Sequence, residues 1–157
     1  AGSGLPYGHM TIPGVDIIVS IADANPAEVK DDGTTSLDDG WAAVYNNLTT
    51  FATGDLHYIT VDKPGTYKVE WSMSGHIDSG ANSSIHGGFM INGVATRNNG
   101  EDHTDVLNAN DSKSMGTTGT ADCPNGTEQI SLWISNDNSA DVHVEHGNMV
   151  ITMAGGT

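Results

Sequence analysis

Histidines and acidic residues are the side chains of this 157-residue chain with the most obvious chemical potential, and the densest group is His143-Val144-Glu145-His146. In a β-strand successive side chains point to opposite faces, so His143 and Glu145 would share one face and His146 the other. The two histidines that zinc hydrolases place four residues apart on a helix are not found here. We therefore expect solvated strand residues and no metal site.

A nucleophilic centre is not indicated either. Asp102-His103-Thr104-Asp105 has two acids and a histidine, but no serine or cysteine in a strained turn accompanies it. Cys123 lies in a polar, glycine-rich stretch that favours a bystander thiol, and a single cysteine cannot form an internal disulfide. We expect no catalytic residues, so the chain is predicted not to be an enzyme.

Three oxygen-rich loops are candidates for calcium binding: Asp31-Asp32-Gly33, Asp38-Asp39-Gly40 and Asp137-Asn138-Ser139-Ala140-Asp141. None has the twelve-residue spacing with a closing glutamate that an EF-hand requires. Asp and Asn also favour turns, because their side chains accept local backbone hydrogen bonds. Turn formation is the preferred interpretation, with calcium as the open alternative, and no cofactor is expected.

The charge balance restricts the partners. Twenty acidic residues against five basic ones give a formal net charge of −15, which repels nucleic-acid phosphates and anionic lipids. We expect neither a nucleic-acid nor a membrane partner. Residues 1–7 lack the apolar core and basic flank of a signal peptide, so no export signal is expected.

Alternating apolar and polar residues predict a chain of short strands. The clearest strand follows Pro64-Gly65, where Tyr67, Val69, Trp71 and Met73 alternate with polar residues. The predicted strands cover residues 10–12, 15–21, 41–48, 56–61, 66–74, 88–92, 94–97, 114–121, 129–135, 141–146 and 149–153, with turns at 92–93 and 147–148 and one helical turn near 27–30. Such a series of short strands, without alternating helices, predicts an all-β jelly-roll sandwich of two antiparallel sheets. Residues 1–8 are expected to form a flexible N-terminal arm, and residues 9–157 a single jelly-roll domain.

Four segments carry a resemblance to a known family. They are Pro64-Gly65-Thr66-Tyr67, Phe89-Met90-Ile91-Asn92-Gly93, Ile130-Ser131-Leu132-Trp133-Ile134, and the closing strand Met149–Met153 with Ala154-Gly155. Their order resembles the jelly roll of the tumour necrosis factor and complement-head family over roughly residues 41–157. The resemblance implies a compact homotrimer, with the inner sheets packed around a three-fold axis.

The N-terminal segment Gly4-Leu5-Pro6-Tyr7-Gly8, with the acidic and cysteine-poor composition, is similar to small jelly-roll proteins of tailed bacteriophages. In that group the trimer is commonly a capsid decoration, or cement, protein. The resemblance therefore implies a virion structural protein on the capsid exterior, whose partners are copies of itself and the major capsid protein. The alternative is a receptor- or glycan-binding fibre tip that uses loops 82–86 and 101–110 and binds a host-surface glycan.

Trp133 is the first candidate contact residue, because it shares the polar face of its predicted strand with Ser131 and Ser135. A tryptophan on such a face is often an interface residue, although it can also cover a second small cluster within the chain. The predicted trimer contacts are Trp133, Val150 and Tyr67, and the predicted capsid contacts are Leu5, Pro6 and Tyr7.

Overall fold

The structure is a computed structural model that describes residues 4–21, 25–30, 40–51, 57–79 and 82–156. These residues form twelve strands: β1 (Tyr7–Val19), β2 (Ala27–Glu28), β3 (Ala42–Asn47), β4 (Thr49–Phe51), β5 (Tyr58–Val61), β6 (Gly65–Ile77), β7 (Ser83–Ile91), β8 (Val94–Ala95), β9 (Asp102–Val106), β10 (Lys113–Cys123), β11 (Gln129–Asn136) and β12 (Val142–Gly156). Within the described residues, no helix has the length and apolar character needed to span a bilayer.

The strands assemble into two antiparallel sheets. Sheet A has the order β10-β6-β12-β1-β3. Sheet B has the order β4-β5-β11-β7-β8, with β2 beside β11 and β9 beside β7. Strand β12 lies at the centre of sheet A. The predicted sandwich of two antiparallel sheets is confirmed.

The core lies between the sheets because the period-two pattern directs apolar side chains there. In β6, Tyr67, Val69, Trp71 and Met73 are at most 4% exposed, whereas the residues between them are exposed. Side chains of sheet B in the same core include Ile59, Phe89, Ile130 and Leu132. Burial of each large apolar side chain contributes roughly 1.5–3 kcal/mol. A one-residue slip in register would turn the whole set to solvent, so the pattern fixes the register.

Two polar groups that enter this core have partners. The Tyr67 hydroxyl donates to the Lys63 carbonyl at 2.7 Å, and Trp71 Nε1 donates to the Gly100 carbonyl at 2.7 Å. Burial raises the pKa of Tyr67 to about 12, so the phenol stays neutral and continues to donate at neutral pH.

The Asn92-Gly93 turn closes the β7–β8 hairpin, as predicted. Asn92 has a φ of 52° and Gly93 a φ of 77°. A tight hairpin turn of type I′ needs a positive φ at both central residues, and Asn-Gly adopts that conformation at low cost. Ile91 and Val94 form the last paired positions before the turn.

The prediction of two strands at residues 10–12 and 15–21 is wrong. A single strand, β1, continues through Pro13-Gly14. Its register against β12 shifts between Pro13 and Ile17, which accommodates the two turn-forming residues without ending the strand.

The predicted turn at residues 147–148 is also wrong, because β12 runs through it without a break. Gly147 pairs with Ile12 on one side and Met73 on the other. A Cβ at Gly147 would lie 2.8 Å from Ile12 Cδ1, so glycine serves close packing here and not a turn. The helical turn expected near 27–30 is likewise replaced, by the short strand β2 paired with β11.

The predicted N-terminal arm extends too far. Tyr7 and Gly8 are the first residues of β1, and both pair with β12 and with β3. Pro6 is buried, and its carbonyl accepts a hydrogen bond from the Met153 N–H at 3.1 Å. Residues 6–8 are therefore part of the sheet, while residues 1–3 lie outside the described part of the chain.

Candidate functional site

An aromatic patch lies on the outer face of sheet A, near the start of β1. The register places His9 opposite Tyr45 of β3 and Val150 of β12, and Tyr7 lies two residues before His9. Directly opposed residues of antiparallel strands project from the same face, so these four side chains are neighbours. We call Tyr7, His9, Tyr45 and Val150 the tyrosine patch.

The tyrosine patch is largely apolar and partly open to solvent. The rings of Tyr7 and Tyr45 lie 5.5 Å apart, inclined at 54°. Tyr45 is 58% exposed, and its chain neighbour Val44 is 52% exposed. Val44 is the extra residue where the register of β3 shifts against β1. Contiguous exposed apolar surface of this kind marks protein–protein contact sites.

Most side chains on the outer face beside the patch are polar. A shallow groove of about 680 Å³ between β6, β10 and β12 is lined by Glu70, Ser72, Thr118 and Asn148, together with apolar surface of Trp71, Met115 and Val150. Glu70 also forms a solvent-exposed ion pair with Lys68 at 2.6 Å, which contributes little stability. Polar surface therefore borders an apolar patch, which is the usual anatomy of an interface with a polar rim.

Two of the three predicted trimer contacts are inside the chain. Tyr67 and Trp133 are both 0% exposed, so neither offers side-chain surface to another protomer and the prediction is wrong for both. Trp133 packs over Gly88, where an added Cβ would lie 2.6 Å from its Nε1, and beneath Arg97, whose guanidinium carbon is 5.1 Å from the ring centre. Trp133 is therefore covered by other parts of the same chain and lies outside the main hydrophobic core. Val150, in contrast, lies half-buried on the outer face, in the tyrosine patch.

The three predicted capsid contacts differ in their exposure to solvent. Leu5 is exposed, and its carbonyl is held by Asn47 Nδ2 at 3.2 Å. Pro6 is buried, so the prediction is wrong for its side chain. Tyr7 is half-buried and belongs to the tyrosine patch.

A polar groove forms where β9 lies beside β7. His86 is directly opposite His103, and their rings stack at 5.4 Å. These two residues, with Arg97 and Glu101, line an open volume of about 540 Å³, which we call the polar groove. Burial would raise the pKa of Glu101, but hydrogen bonds from Arg97 and the Asn98 N–H hold it below its usual range. The polar groove contains residues of both segments predicted for glycan binding, 82–86 and 101–110.

Two histidines meet on the outer face of sheet A, at the end remote from the tyrosine patch. The register places His76 of β6 opposite His143 of β12, and their rings stack at 4.7 Å with 14° between the planes. Asp78, just beyond β6, reaches both rings. Its Oδ1 lies 3.2 Å from His76 Nε2 and its Oδ2 lies 2.6 Å from His143 Nε2. We call His76, Asp78 and His143 the histidine cluster.

The other nitrogen of each ring has its own carboxylate. Glu145 Oε1 lies 2.6 Å from His76 Nδ1, and both carboxylate oxygens of Asp16 lie 3.0 Å from His143 Nδ1. Burial would lower the pKa of His143, but the hydrogen bond and charge of Asp16, with those of Asp78, raise it above the usual range. The cluster therefore alternates imidazole and carboxylate groups.

A β-bulge brings Glu145 to this cluster. Val144 pairs with Gly75 and His146 pairs with Ser74, which leaves Glu145 as the inserted residue. The insertion also returns His146 to the outer face, so the prediction that it points away from the face of His143 is wrong. Strict alternation along the sequence cannot anticipate an inserted residue.

The remaining chemical candidates take structural roles or lie outside the described residues. Segment 31–33 and Asp38-Asp39 are outside the described part of the chain. In the 137–141 loop, Asn136 Oδ1 accepts the N–H groups of Asn138 and Ala140, both at 3.1 Å, as the turn interpretation predicts. Burial raises the pKa of Cys123 to about 12, so its thiol stays protonated at neutral pH.

Four residues of the tyrosine patch and the histidine cluster are not among the candidates that the sequence indicates: His9, Tyr45, His76 and Asp78. His76 continues the polar face of β6 two residues beyond Ser74, and extending the alternation would have placed it there. Tyr45 lies in a predicted strand, but its exposure depends on which strand lies beside it. Its neighbour, β1, is more than thirty residues away in the sequence.

Comparison with known proteins finds similarity to solved structures. No family model and no curated protein match the chain. A solved structure described as Eiger TNF from S. frugiperda is similar, with a TM-score of 0.61 over 98% of this chain and 94% of that chain. The chain has a tumour necrosis factor-like jelly-roll fold. The two sequences are 10% identical, so the TNF-like likeness concerns architecture, and it confirms the fold predicted from the sequence resemblance.

Proposed function

We propose that the chain is a virion structural protein, a homotrimeric decoration or cement protein on the outer surface of a phage capsid. Its partners would be two further copies of itself and the major capsid protein. The tyrosine patch on the outer face of sheet A carries the proposal. The similarity of the N-terminal segment and composition to phage jelly-roll proteins provides the virion context.

The tyrosine patch supports self-association because it is apolar in a strongly acidic chain. A formal net charge of −15 favours solubility, whereas an exposed apolar patch opposes it. Tyr45 is nevertheless 58% exposed, and contact with another protomer would explain that exposure. Aromatic side chains are enriched at the centres of interfaces, and the polar surface around this patch suits a rim. The number of copies, three, comes from the family resemblance.

Capsid attachment is assigned to the chain segment just before β1. Leu5 is 67% exposed, while hydrogen bonds to the backbone at Leu5 and Pro6 tie this segment to the sheet. A trimer would present three such side chains at once. Three weak contacts made together raise occupancy far beyond that of a single contact, which is how a small protein could bridge capsid subunits.

The trimer is tested by Tyr45→Asp, with Val94→Asp as the matched control. Val94 is 70% exposed on β8 of sheet B, so the control adds the same charge to an exposed apolar site away from the patch. Sedimentation should give a trimer mass for the wild type and Val94→Asp, and a single-protomer mass for Tyr45→Asp. A wild-type protein that sediments as one protomer would remove the proposal.

Capsid binding is tested by mixing the purified protein with shells of the encoding phage that lack it. We expect co-sedimentation that saturates, and weaker co-sedimentation by Leu5→Asp protein that still forms trimers. Wild-type trimers that leave the shells bare would refute the decoration role while leaving the oligomer intact.

A receptor- or glycan-binding fibre tip is the second candidate, and the polar groove favours it. The groove offers Arg97, Glu101 and two stacked histidines as hydrogen-bonding groups on an open surface. This function predicts saturable binding to host cells or isolated glycans, reduced by His103→Ala. A cement protein would show no such binding.

A further inference from the structure

The histidine cluster has the chemistry of a metal site. It is the one group within the described residues where at least three histidine, cysteine or acidic side chains converge closely enough to hold an ion. We propose that it binds one divalent transition-metal ion, ligated by Nε2 of His76, Nε2 of His143 and the carboxylate of Asp78. This site is independent of the proposed decoration function.

The three ligand groups are already directed at one another. Their ligand atoms all lie within 4.8 Å of one another, and Asp78 is within 3.2 Å of both Nε2 atoms. Bonds of about 2.0–2.2 Å hold the ligands of a tetrahedral zinc ion roughly 3.3–3.5 Å apart. The Asp78 side chain is 58% exposed, so it has room to adjust when an ion binds beside the two Nε2 atoms, at the edges of the stacked rings.

The surroundings orient both rings toward the ion. Nδ1 of His76 faces Glu145 at 2.6 Å, and Nδ1 of His143 faces Asp16 at 3.0 Å. A ring that donates its Nδ1–H to a carboxylate keeps Nε2 for the metal, and this outer arrangement is typical of metal-binding histidines. Both histidines also stand on adjacent, paired strands of sheet A, so the sheet fixes their separation.

The donor set selects the class of ion. Two imidazole nitrogens and one carboxylate oxygen suit zinc and its neighbours cobalt, nickel and copper, whereas calcium and magnesium prefer oxygen ligands alone. Three protein ligands leave a coordination position for water or an outside group. The formal net charge of −15 further attracts cations to the molecule.

The test is zinc binding by the full-length chain, without a histidine tag and stripped with a chelator. Calorimetric titration with zinc chloride should show one ion per chain, and the thermal midpoint should rise with zinc concentration. Cobalt should give the visible absorption of a four-coordinate ion. His76→Gln and His143→Gln should abolish saturable binding, with far-UV circular dichroism to confirm that each variant folds.

Matched variants distinguish zinc binding at this site from weak zinc binding by other exposed histidines. His146→Gln, on the same strand and exposed, should bind zinc as the wild type does. Asp16→Ala removes only an outer partner that is itself 54% exposed, and it should weaken binding roughly 10- to 100-fold. The Asp16 variant still tests the metal site if a histidine variant fails to fold.

Wild-type protein with no saturable zinc binding would overturn the proposal and leave the cluster as an ion-pair network. Equal loss in His146→Gln, or full binding by His76→Gln, would overturn it as well. The Tyr45→Asp protein should still bind one ion per chain, so failure of the trimer and failure of the metal site give different results.

Discussion

At the scale of single residues, Glu128 secures the turn between β10 and β11. Its carboxylate accepts the N–H groups of Asn125, Gly126 and Thr127 at 2.8, 3.0 and 3.2 Å, and the residue is 3% exposed. Burial alone would raise the pKa of Glu128, but these backbone hydrogen bonds outweigh it and hold the pKa below its usual range. The ionised form is therefore the one that the fold stabilises.

Glu128→Gln should lower the free energy of unfolding by about 1–3 kcal/mol at neutral pH, because an amide places a donor where the turn presents donors. The carboxylate contributes its stability above its ordinary pKa of 4.5 and loses it as pH falls through the lowered native pKa. The difference between the wild type and the variant should therefore shrink below pH 4.5. Denaturant titrations at several pH values measure it.

The exposed Asp122→Asn on β10 is the control, and it should show little difference at any pH. A Glu128→Gln difference that stays constant from neutral to acid pH would mean that the turn depends on the shape of the side chain and not on its charge.

At the scale of strands, the pairing of β6 with β12 depends on Gly75. This buried residue lies opposite Val144, where the bulge begins. A Cβ at Gly75 would collide with the carbonyl oxygen of His143. The obstacle is backbone, so a rotation of a side chain cannot relieve it.

Gly75→Ala should therefore lower the free energy of unfolding by about 1–3 kcal/mol or more. Gly155→Ala on β12 is the matched control, because no atom lies within 4 Å of a Cβ built there. We expect it to be neutral, or to stabilise slightly by restricting the unfolded chain. Denaturant titration compares the two, and equal stability of both variants would show that β12 can shift away from β6.

The strands themselves could largely be predicted from the sequence, because alternation is a local property. The patterns at Tyr67–Met73 and Ile130–Ile134 place the same side chains in the core that the structure does. The continuity of β1 and β12 could not be predicted, because Pro13-Gly14 and Gly147 are read locally as turn residues. In the sheet they serve a register shift and a close approach instead.

The surfaces were harder to predict than the strands, because they depend on contacts between distant segments. The polar neighbours of Trp133 favour an interface position, yet Arg97 of the segment after β8 lies over its ring. The histidine cluster joins residues of β6 and β12 with Asp78 of the segment after β6, and its outer partner Asp16 lies on β1. No local spacing brings His76 and His143 together, since their encounter follows from the sheet order.

At the scale of the whole molecule, the formal net charge of −15 opposes the self-association that we propose for the tyrosine patch. Each protomer repels its neighbours over a distance set by the Debye length, about 10 Å at 0.1 M salt and 3 Å at 1 M. The contact itself would bury the rings of Tyr7 and Tyr45 with Val150, none of which carries a charge. Salt should therefore screen the repulsion without weakening the attraction.

Self-association should thus tighten as sodium chloride rises from 0.1 to 1 M, which sedimentation equilibrium measures as a falling dissociation constant. The dissociation constant of Val94→Asp should also fall with salt, and more steeply than that of the wild type, because the variant adds one more negative charge to each protomer. An assembly held by ion pairs, such as those of the histidine cluster with its carboxylates, would loosen in salt instead. A dissociation constant that rises with salt would contradict a contact at the tyrosine patch and favour one at the charged end of sheet A. The direction in which salt changes the dissociation constant therefore decides between the two surfaces.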